Sequence, residues 1–239
     1  MTTVPKIVFE DNQILVAIKP PGVLSQADGG PAADMLTLLK DDIKIRYQKP
    51  GAVYLGLLHR LDQPVGGLMV FARTSKSASR ISAQIREHQL VKTYLAVVRG
   101  QPLHQQADLQ DYLLKDPVSR NVQVVSASQG QDARMSYQVL QTRPDLDLSL
   151  LSVQLQTGRS HQIRVQLASR GWPIVGDQRY GPKSGERLDI ALFAGCLGFE
   201  HPVSKQWVEF CAQPPDVYPW NIFEPENLIL RYNQDIDPN

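Results

Sequence analysis

Residues that could carry out chemistry concentrate in three short stretches of otherwise apolar sequence. The first is HRLD, His59 to Asp62, within YLGLLHRLDQPVGGLMVFA. The second is KTYLAVVRG, where Tyr94 projects from a strand-like pattern, and the third is TGRSHQIRVQLASRGWPIVGDQRYG at 157–181. A full charge in apolar surroundings is costly unless it is paired or takes part in chemistry. The pattern therefore predicts a site with one carboxylate, one aromatic ring and several arginines.

Asp62 is the carboxylate of this predicted site. Taken alone, an aspartate is more often a structural ion pair or a turn cap, and a lone tyrosine such as Tyr94 is more often a core aromatic. Arg164 is a candidate ion-pair partner for Asp62. A desolvated carboxylate beside an arginine also suits a nucleophile or a proton acceptor.

Several basic and polar residues indicate an anionic ligand. Arg159, His161, Gln162 and Arg164 crowd one junction between a loop and a predicted helix, where helix N-terminal amides favour anions. Arg60, next to Asp62, suits insertion into a stack of nucleic-acid bases, because guanidinium planes stack on bases.

The charge distribution agrees with such a ligand only locally. The net charge is +1, which argues against a general binder of polyanions. Residues 59–99, however, contain seven basic and two acidic residues, and within them Lys76 and Arg80 share one face of a predicted helix. A local basic patch points to phosphate contacts, whereas a solvated surface is the simpler interpretation.

The sequence lacks the patterns of metal and nucleotide sites. It has no HxxxH, HExxH or clustered Cys/His spacing, so no metal is expected. It also has no GxxxxGK[ST] or GxGxxG after a strand, so we expect no nucleotide cofactor and no other cofactor. Cys196 and Cys211 are the two cysteines, and we expect both to be buried thiols.

Length and hydropathy predict one cytoplasmic domain. A chain of 239 residues can bury a sizeable core, and we expect a domain over 1–214 followed by an acidic tail, 215–239, packed on it or trailing from it. No apolar run approaches the roughly 20 residues of a membrane helix, and the N-terminus lacks a signal-peptide pattern.

Apolar periodicity predicts elements without regular alternation of strands and helices. We expect helices over Ala32–Arg46, from Thr74/Ser75 to about residue 89, and over His161–Ser169. Strands are predicted at Lys6–Glu10, Ile14–Lys19, Leu68–Ala72, Lys92–Arg99, Tyr112–Leu114, Asn121–Ser126, Ala133–Leu140, Leu148–Gln156, Leu192–Phe199 and Trp207–Cys211. The fold class is therefore α+β, with a mixed, largely antiparallel central sheet and flanking helices.

The motifs resemble those of a known enzyme family. HRLDQPVGGLMVFARTSKSASR resembles the catalytic motif HRLDxxTSG of RNA pseudouridine synthases of the RluA family. Four further blocks match in order: KPPGVL at 19–24, KTYLAVVRG at 92–100, the stretch 157–181 and LFAGCLGFEHP at 192–202. The resemblance covers the chain from Ile7 to about Pro214, and it is to a short form without an N-terminal S4-like domain.

The resemblance implies a pseudouridine synthase fold with an active-site cleft. It also implies a monomeric, cofactor-free enzyme that converts uridine in structured ribosomal or transfer RNA to pseudouridine. Asp62 matches the essential aspartate, Arg60 the arginine that enters the RNA stack, Tyr94 the aromatic against the flipped uracil, and Arg164 the partner of the aspartate. The expected RNA-binding residues are His59, Arg60, Leu61, Lys19, Lys76, Arg80, Arg159, His161 and Gln162.

Four residues depart from the family pattern. Val65 and Gly66 replace the usual threonine and serine, and Gln166 and Phe193 stand where histidine is frequent. Two other functions stay open. One is an RNA-binding module on the same scaffold whose catalysis is lost. The other is a metal-dependent nuclease that uses His59, Asp62, His161 and Asp177.

Overall fold

A computed structural model describes residues 4–183 and 188–224 of the protein. The described residues form eleven strands and three α-helices. The strands are β1 Ile7–Glu10, β2 Ile14–Lys19, β3 Gly56–Leu57, β4 Gly66–Ala72, β5 Val91–Arg99, β6 Gln106–Lys115, β7 Val122–Val125, β8 Gln131–Arg143, β9 Leu148–Leu155, β10 Leu192–Glu200 and β11 Trp207–Cys211. The helices are α1 Met35–Arg46, α2 Ser75–Arg86 and α3 Gln162–Ala168.

The strands form one sheet in the order β1-β2-β4-β10-β5-β9-β8-β6-β7, with β11 paired to β10 and β3 to β4. The β4–β10 pair is parallel, whereas the other described pairs are antiparallel. The predicted α+β class with a mixed, largely antiparallel sheet is confirmed.

Helices α1 and α2 cover opposite faces of the sheet at β2 and β4. On β2, Leu15 and Ala17 pack in the cluster that contains Met35 of α1, while Ile14 and Val16 pack with Ile81 of α2. Alternate residues of a strand point to opposite faces, so β2 serves both layers. All seven residues of β4, GGLMVFA, are buried, which explains its unbroken apolar sequence.

Several element boundaries differ from the predictions, and those of α1 and β6 have a clear physical reason. Helix α1 begins at Met35 rather than Ala32, because the Asp34 carboxylate accepts a hydrogen bond from the Thr37 N–H at 3.0 Å and caps it there. Strand β6 extends back to Gln106, where exposed polar residues alternate with buried ones. Because its exposed positions are polar, the first half of the strand is not detected by a search for apolar runs.

A close backbone contact fixes the start of β4 beside β10. Gly66 and Gly67 pair with Phe193 and Ala194, and Gly67 has a φ of +127°. A Cβ atom at Gly67 would overlap the backbone of Ala194. Glycine is therefore required at Gly67, and the contact sets the HRLD loop, which precedes β4, against the middle of the sheet.

The prediction of two buried thiols is wrong. Cys196 and Cys211 form a disulfide, and Cys211 is exposed. The two residues lie directly opposite each other on β10 and β11 with a Cα–Cα distance of 4.3 Å. Cross-strand neighbours at this spacing can be bridged. Their pairing depends on the strand register, which the separation of 15 residues does not reveal.

The described part of the predicted tail contributes to the core. Trp220 and Phe223 are each 4% exposed and belong to the main apolar cluster. Residues 225–239 of the predicted tail lie outside the described residues. Across the described ranges, every helix is too short or too polar to cross a bilayer.

Candidate active site

The HRLD loop, between β3 and β4, is held by hydrogen bonds that include those of His59 and Leu61. His59 Nε2 accepts from the Val70 N–H at 3.1 Å. The Ser25 hydroxyl donates to the Leu61 carbonyl at 2.9 Å and accepts from the Leu61 N–H at 3.1 Å. Burial, and to a lesser extent the charge of Lys92, lower the pKa of His59 to about 3, so its ring is neutral. The structure gives His59 and Leu61 the task of holding the loop.

A cluster of charges runs from Asp62 through Arg164 to Asp177. Arg164 Nη1 lies 3.1 Å from Asp62 Oδ2. Its Nε and Nη2 lie 2.8 and 2.7 Å from the two carboxylate oxygens of Asp177. The side chains of Arg164 and Asp177 are 7% and 1% exposed, whereas that of Asp62 is 29% exposed. Arg164 therefore fixes the Asp62 carboxylate without covering it; we call these three residues the inner charge cluster.

The surroundings keep both buried members of the inner charge cluster ionised. Burial alone would lower the pKa of Arg164, but the Asp177 and Asp62 carboxylates raise it overall. Burial alone would raise the pKa of Asp177, but Arg164 and the N–H groups of Arg179 and Tyr180 lower it overall. These opposite directions are those expected of a buried ion pair whose hydrogen bonds are satisfied.

His161 and Tyr180 pack beside the inner charge cluster. His161 caps α3 with a φ of 53°, and its Nε2 lies 3.8 Å from Asp62 Oδ2. Its Nδ1 is 2.6 Å from the Tyr180 hydroxyl, and the Arg164 guanidinium lies 5.2 Å from the centre of the Tyr180 ring. Burial lowers the pKa of His161, although the charge of Asp62 opposes this shift. Tyr180 thus supports both neighbours of Asp62.

Asp62 lines two openings in the surface. The first is a cleft of about 390 Å³. The 7%-exposed ring of Tyr94, on β5, forms part of its wall, together with Leu192 of β10. Burial, and then the charge of Asp62, raise the pKa of Tyr94, so its hydroxyl keeps its proton. The second opening, about 660 Å³, is lined by Gln63, Asn121 and the 176–179 stretch. The Asp62 carboxylate therefore faces a space large enough for a nucleotide.

Three cations line the first cleft without belonging to the inner charge cluster: Arg60, Lys92 and Arg159. We call them the outer cations. Arg60 is exposed and makes no hydrogen bond or ion pair with any residue in the described ranges. Arg159 is exposed and donates from Nε to the Asp132 carbonyl at 2.9 Å. These residues surround the cleft with positive charge.

Two predicted RNA-binding residues are used inside the protein instead. Lys19 is 0% exposed, and its ammonium donates to the carbonyls of Pro20, Val23 and Gln63 at 3.0, 2.7 and 2.9 Å. Gln162 is 3% exposed, and its side chain accepts from the Thr157 hydroxyl and the Arg159 N–H and donates to the Arg134 carbonyl of β8. A buried polar group must satisfy its hydrogen bonds locally, so neither side chain reaches a ligand in this structure.

Lys76 and Arg80 lie on α2, away from both openings. Arg80 Nη1 donates to the Pro202 carbonyl, and Lys76 is exposed in the first turn. Ile85 and His88, at the other end of the helix, line the first cleft. A helix of 12 residues is about 18 Å long, so Lys76 in the first turn lies far from the end that lines the cleft. The RNA contacts of Lys76 and Arg80 stay a prediction.

The four residues of the nuclease alternative do not form a set of free metal ligands. His59 Nε2 is occupied by the Val70 N–H, and the Asp177 carboxylate is occupied by Arg164. His161 and Asp62 are close to each other, but their neighbours are cations. The donor set therefore suits an arginine-supported carboxylate rather than a cation site.

The departures from the family pattern fall in buried packing. Val65, Gly66 and Phe193 are buried, and Gln166 donates to the Asp111 carboxylate at 2.7 Å. The Gln166 Oε1 atom has no hydrogen-bond partner within the described residues. Val65 lines the first cleft, whereas Gly66, Gln166 and Phe193 do not.

The structure brings three further residues to the site: Tyr180 and Lys92, which the sequence analysis did not single out, and Asp177, which it named only for the nuclease alternative. Asp177 and Tyr180 belong to the GDQRYG end of the third stretch, and Lys92 is the first residue of KTYLAVVRG. Their signal was present in the quoted motifs, where a charged or aromatic residue interrupts apolar sequence. Ion-pair geometry was needed to show which of them meets Asp62.

Comparisons with known proteins agree with this geometry. Residues 13–169 match the family described as RNA pseudouridylate synthase. The ribosomal large subunit pseudouridine synthase D of Zymomonas mobilis is 32% identical over 222 residues, which cover 88% of this chain and 69% of that protein. The dual-specificity RNA pseudouridine synthase RluA of Pasteurella multocida is 30% identical over 210 residues, covering 87% and 92%.

The fold has a matching solved structure. Human RNA pseudouridylate synthase domain containing 4 superposes with a TM-score of 0.73 at 23% identity, covering 88% of each chain. That likeness concerns the fold, whereas the family match and the bacterial relatives concern the sequence. The chain belongs to the RNA pseudouridine synthase family and isomerises uridine in RNA to pseudouridine.

Proposed function

We propose that Asp62 is the catalytic carboxylate of this isomerase and that its substrate is structured ribosomal or transfer RNA. The observation that carries the proposal is the hydrogen bond from Arg164 to one carboxylate oxygen of Asp62. The second carboxylate oxygen is left available to the cleft. Asp62 Oδ2 bonds Arg164 at 3.1 Å, and Oδ1 accepts no hydrogen bond from the described residues. A positioned carboxylate in a partly dry site suits attack on the ribose or removal of a proton.

The reaction requires the target base to leave the RNA stack. Extrusion of a nucleotide costs a few kcal/mol, and an inserted side chain recovers part of that cost. Arg60 is the candidate for insertion, because it is exposed, unpaired among the described residues and two positions before Asp62. Its planar guanidinium can stack on the neighbouring bases.

The flipped uracil then lies in the cleft against Tyr94. The N1–C1′ bond breaks, the uracil rotates, and a bond forms between C5 and C1′. The proton lost from C5 is balanced by the proton gained at N1, so no cofactor is consumed. Because the pKa of Tyr94 is raised, its hydroxyl acts as a hydrogen-bond donor to the detached ring rather than as an ionised base. The buried wall excludes water, which would otherwise release free uracil.

The choice of RNA follows from the relatives and from the uneven charge. The relatives carry names that specify the ribosomal large subunit or dual specificity. With a net charge of +1, affinity must come from the outer cations and from RNA shape rather than from overall charge. We place the enzyme as a monomer in the cytoplasm, where both RNA classes act.

The test is a pseudouridine map of total RNA from cells with the gene deleted, restored, or restored as Asp62→Asn. Carbodiimide labelling and primer extension detect each modified position. We expect one or more sites in ribosomal or transfer RNA to vanish on deletion and to return only with the intact aspartate. A site restored by Asp62→Asn would contradict the catalytic role. If the wild-type and the Asp62→Asn proteins both rescued an RNA-folding or RNA-binding defect of the deletion strain, the binding-module alternative would be favoured.

A further inference from the structure

Lys92 has no function in the account so far, although it lies on the same strand as Tyr94. Residues two apart on a strand point to the same face, about 6.6 Å from each other. Lys92 and Tyr94 both line the first cleft, Lys92 half-buried and Tyr94 buried. Lys92 therefore lies one strand repeat nearer the mouth than the ring proposed to hold the uracil.

The ammonium of Lys92 lacks the partners that a buried lysine normally has. Lys19 is also buried, and it donates three hydrogen bonds to carbonyls. Lys92 makes no hydrogen bond or ion pair with any residue in 4–183 or 188–224. Burial lowers the pKa of Lys92, as it does that of Lys19, so it is the missing hydrogen bonds that set Lys92 apart.

The charges around Lys92 leave it available for an anion. The cleft contains the other outer cations, Arg60 and Arg159, and its lining includes one acidic residue, Asp62. Asp62 is already bound by Arg164. A cleft lined by one sign of charge concentrates the field and attracts ligands of the opposite sign.

Lys92 lines the first cleft together with Gly158 and Arg159. Gly158 faces Lys92, and a Cβ atom at Gly158 would lie 3.7 Å from Lys92 Nζ. The absence of a side chain lets a ligand approach both the ammonium and the loop backbone. A tetrahedral oxyanion fits such a concave surface of donors.

We propose that Lys92, with Gly158 and Arg159 beside it, binds a phosphate of the RNA backbone adjacent to the flipped uridine. The base is assigned to Tyr94, and the phosphate is the anionic part of the same nucleotide that lies toward the cleft mouth. Lys92 thus sets how deeply the nucleotide enters and gains its missing partner only when RNA is bound. This inference rests on the proposed function.

The experiment measures the equilibrium Kd and the single-turnover rate on an RNA oligonucleotide that spans a uridine converted by the wild-type protein. Lys92→Met is compared with Lys92→Arg and with Lys44→Met, an exposed lysine of α1 that lines neither opening. Each protein is titrated across a range of chloride concentrations. The same oligonucleotide is also made with a single uncharged methylphosphonate at each linkage flanking the target.

We expect Lys92→Met to raise Kd about tenfold and to reduce the slope of log Kd against log salt by about 0.7 to 0.9. Lys92→Arg restores the slope, and Lys44→Met leaves it unchanged. At one of the flanking linkages, the methylphosphonate raises the Kd of the wild-type protein about tenfold as well. It does not raise the Kd of Lys92→Met further, because the substitution and the methylphosphonate remove the same contact. The rate at saturating RNA stays within about twofold.

An unchanged salt slope, or methylphosphonate effects that add to Lys92→Met at every linkage, would overturn the phosphate contact. A fall in the saturated rate with unchanged Kd would overturn it as well and would assign Lys92 to the base. If the wild-type protein converted no uridine in any RNA, the proposed function would fail instead, so the two failures are distinguishable.

Discussion

Arg164 and Arg60 are both neighbours of Asp62, but they differ in burial and in ion pairing. Arg164 is 6% exposed and bonds two carboxylates, whereas Arg60 is exposed and unpaired among the described residues. A charge that must be buried for chemistry has to be balanced before the substrate arrives. A cation that binds RNA can stay solvated in the free protein, because the RNA phosphates become its partners on binding. The inner charge cluster therefore has its ion pairs within the folded protein, whereas the outer cations form theirs when RNA binds.

The largest expected effect comes from removing the centre of the inner charge cluster. Arg164→Met leaves Asp177 buried without its partner, so the free energy of unfolding should fall by about 3 to 5 kcal/mol. The rate of pseudouridine formation should fall at least about a thousandfold, because Asp62 loses its positioning. Urea denaturation and tritium release from uridine-labelled RNA measure the two effects.

Arg46→Met is the matched control for that substitution. Arg46 also bonds two carboxylates, those of Glu10 and Asp42, but its side chain is 37% exposed. Exposed ion pairs contribute about 0 to 1 kcal/mol, so this variant should be nearly as stable and as active as the parent. Equal losses in the two variants would refute the distinction between buried and exposed arginines.

Asp177→Asn tests whether the far end of the inner charge cluster acts on Asp62 through Arg164. Without the carboxylate, Arg164 is no longer held in one orientation, and we expect the saturated rate to fall on the order of 10²-fold. The Kd for RNA should stay within about twofold. Asp145→Asn removes an exposed aspartate that also makes two bonds to an arginine, Arg143, and it should change neither quantity.

Arg60→Ala tests the outer side of the comparison. Loss of one stacking contact should lower kcat/KM about tenfold, while the free energy of unfolding changes by less than about 0.5 kcal/mol. Arg60→Lys keeps the positive charge but lacks the planar guanidinium that stacks on bases, so it should not restore kcat/KM. Full recovery by lysine would mean that Arg60 acts through its charge alone.

A pH-dependent effect on stability is expected from His59, a half-buried neutral group in the same loop. Its folded-state pKa of about 3 lies below the ordinary 6.5, so the unfolded chain takes up a proton first as the pH falls. Its contribution to stability is complete above pH 6.5 and is lost on acidification, by about 2 kcal/mol between pH 7 and pH 5. His59→Gln keeps an acceptor for Val70 and should lack this loss. Urea denaturation at both pH values checks it, and parallel losses would contradict it.

Much of the fold was predictable because its signals are local. The apolar run of β4, the α2 cap at Thr74 and the alternation in β5 each specify an element from neighbouring residues. The family motifs identified the correct loops, and Asp62 and Arg164 do meet at 3.1 Å. The first half of β6 was missed, because an edge-like strand with polar exposed positions carries no apolar signal.

The missing information is long-range geometry. Lys19 and Lys92 are both lysines in quoted motifs. Only the tertiary structure shows that three carbonyls accept hydrogen bonds from Lys19, whereas no residue in the described ranges accepts one from Lys92. The disulfide of Cys196 depends on the register between β10 and β11. Asp177 was visible as a charge, but its two bonds to Arg164 required the packing of α3 against the following loop.

The most direct test of the central claim compares Asp62→Asn with Asp147→Asn in single-turnover tritium release and RNA binding. Asp147 is exposed in a turn with a φ of 53°, which asparagine tolerates. We expect Asp62→Asn to bind RNA with the wild-type Kd and to lose at least about a thousandfold in rate, while Asp147→Asn is unchanged. An Asp62→Asn protein that turned over RNA at the wild-type rate would contradict the assignment of Asp62 as the catalytic carboxylate.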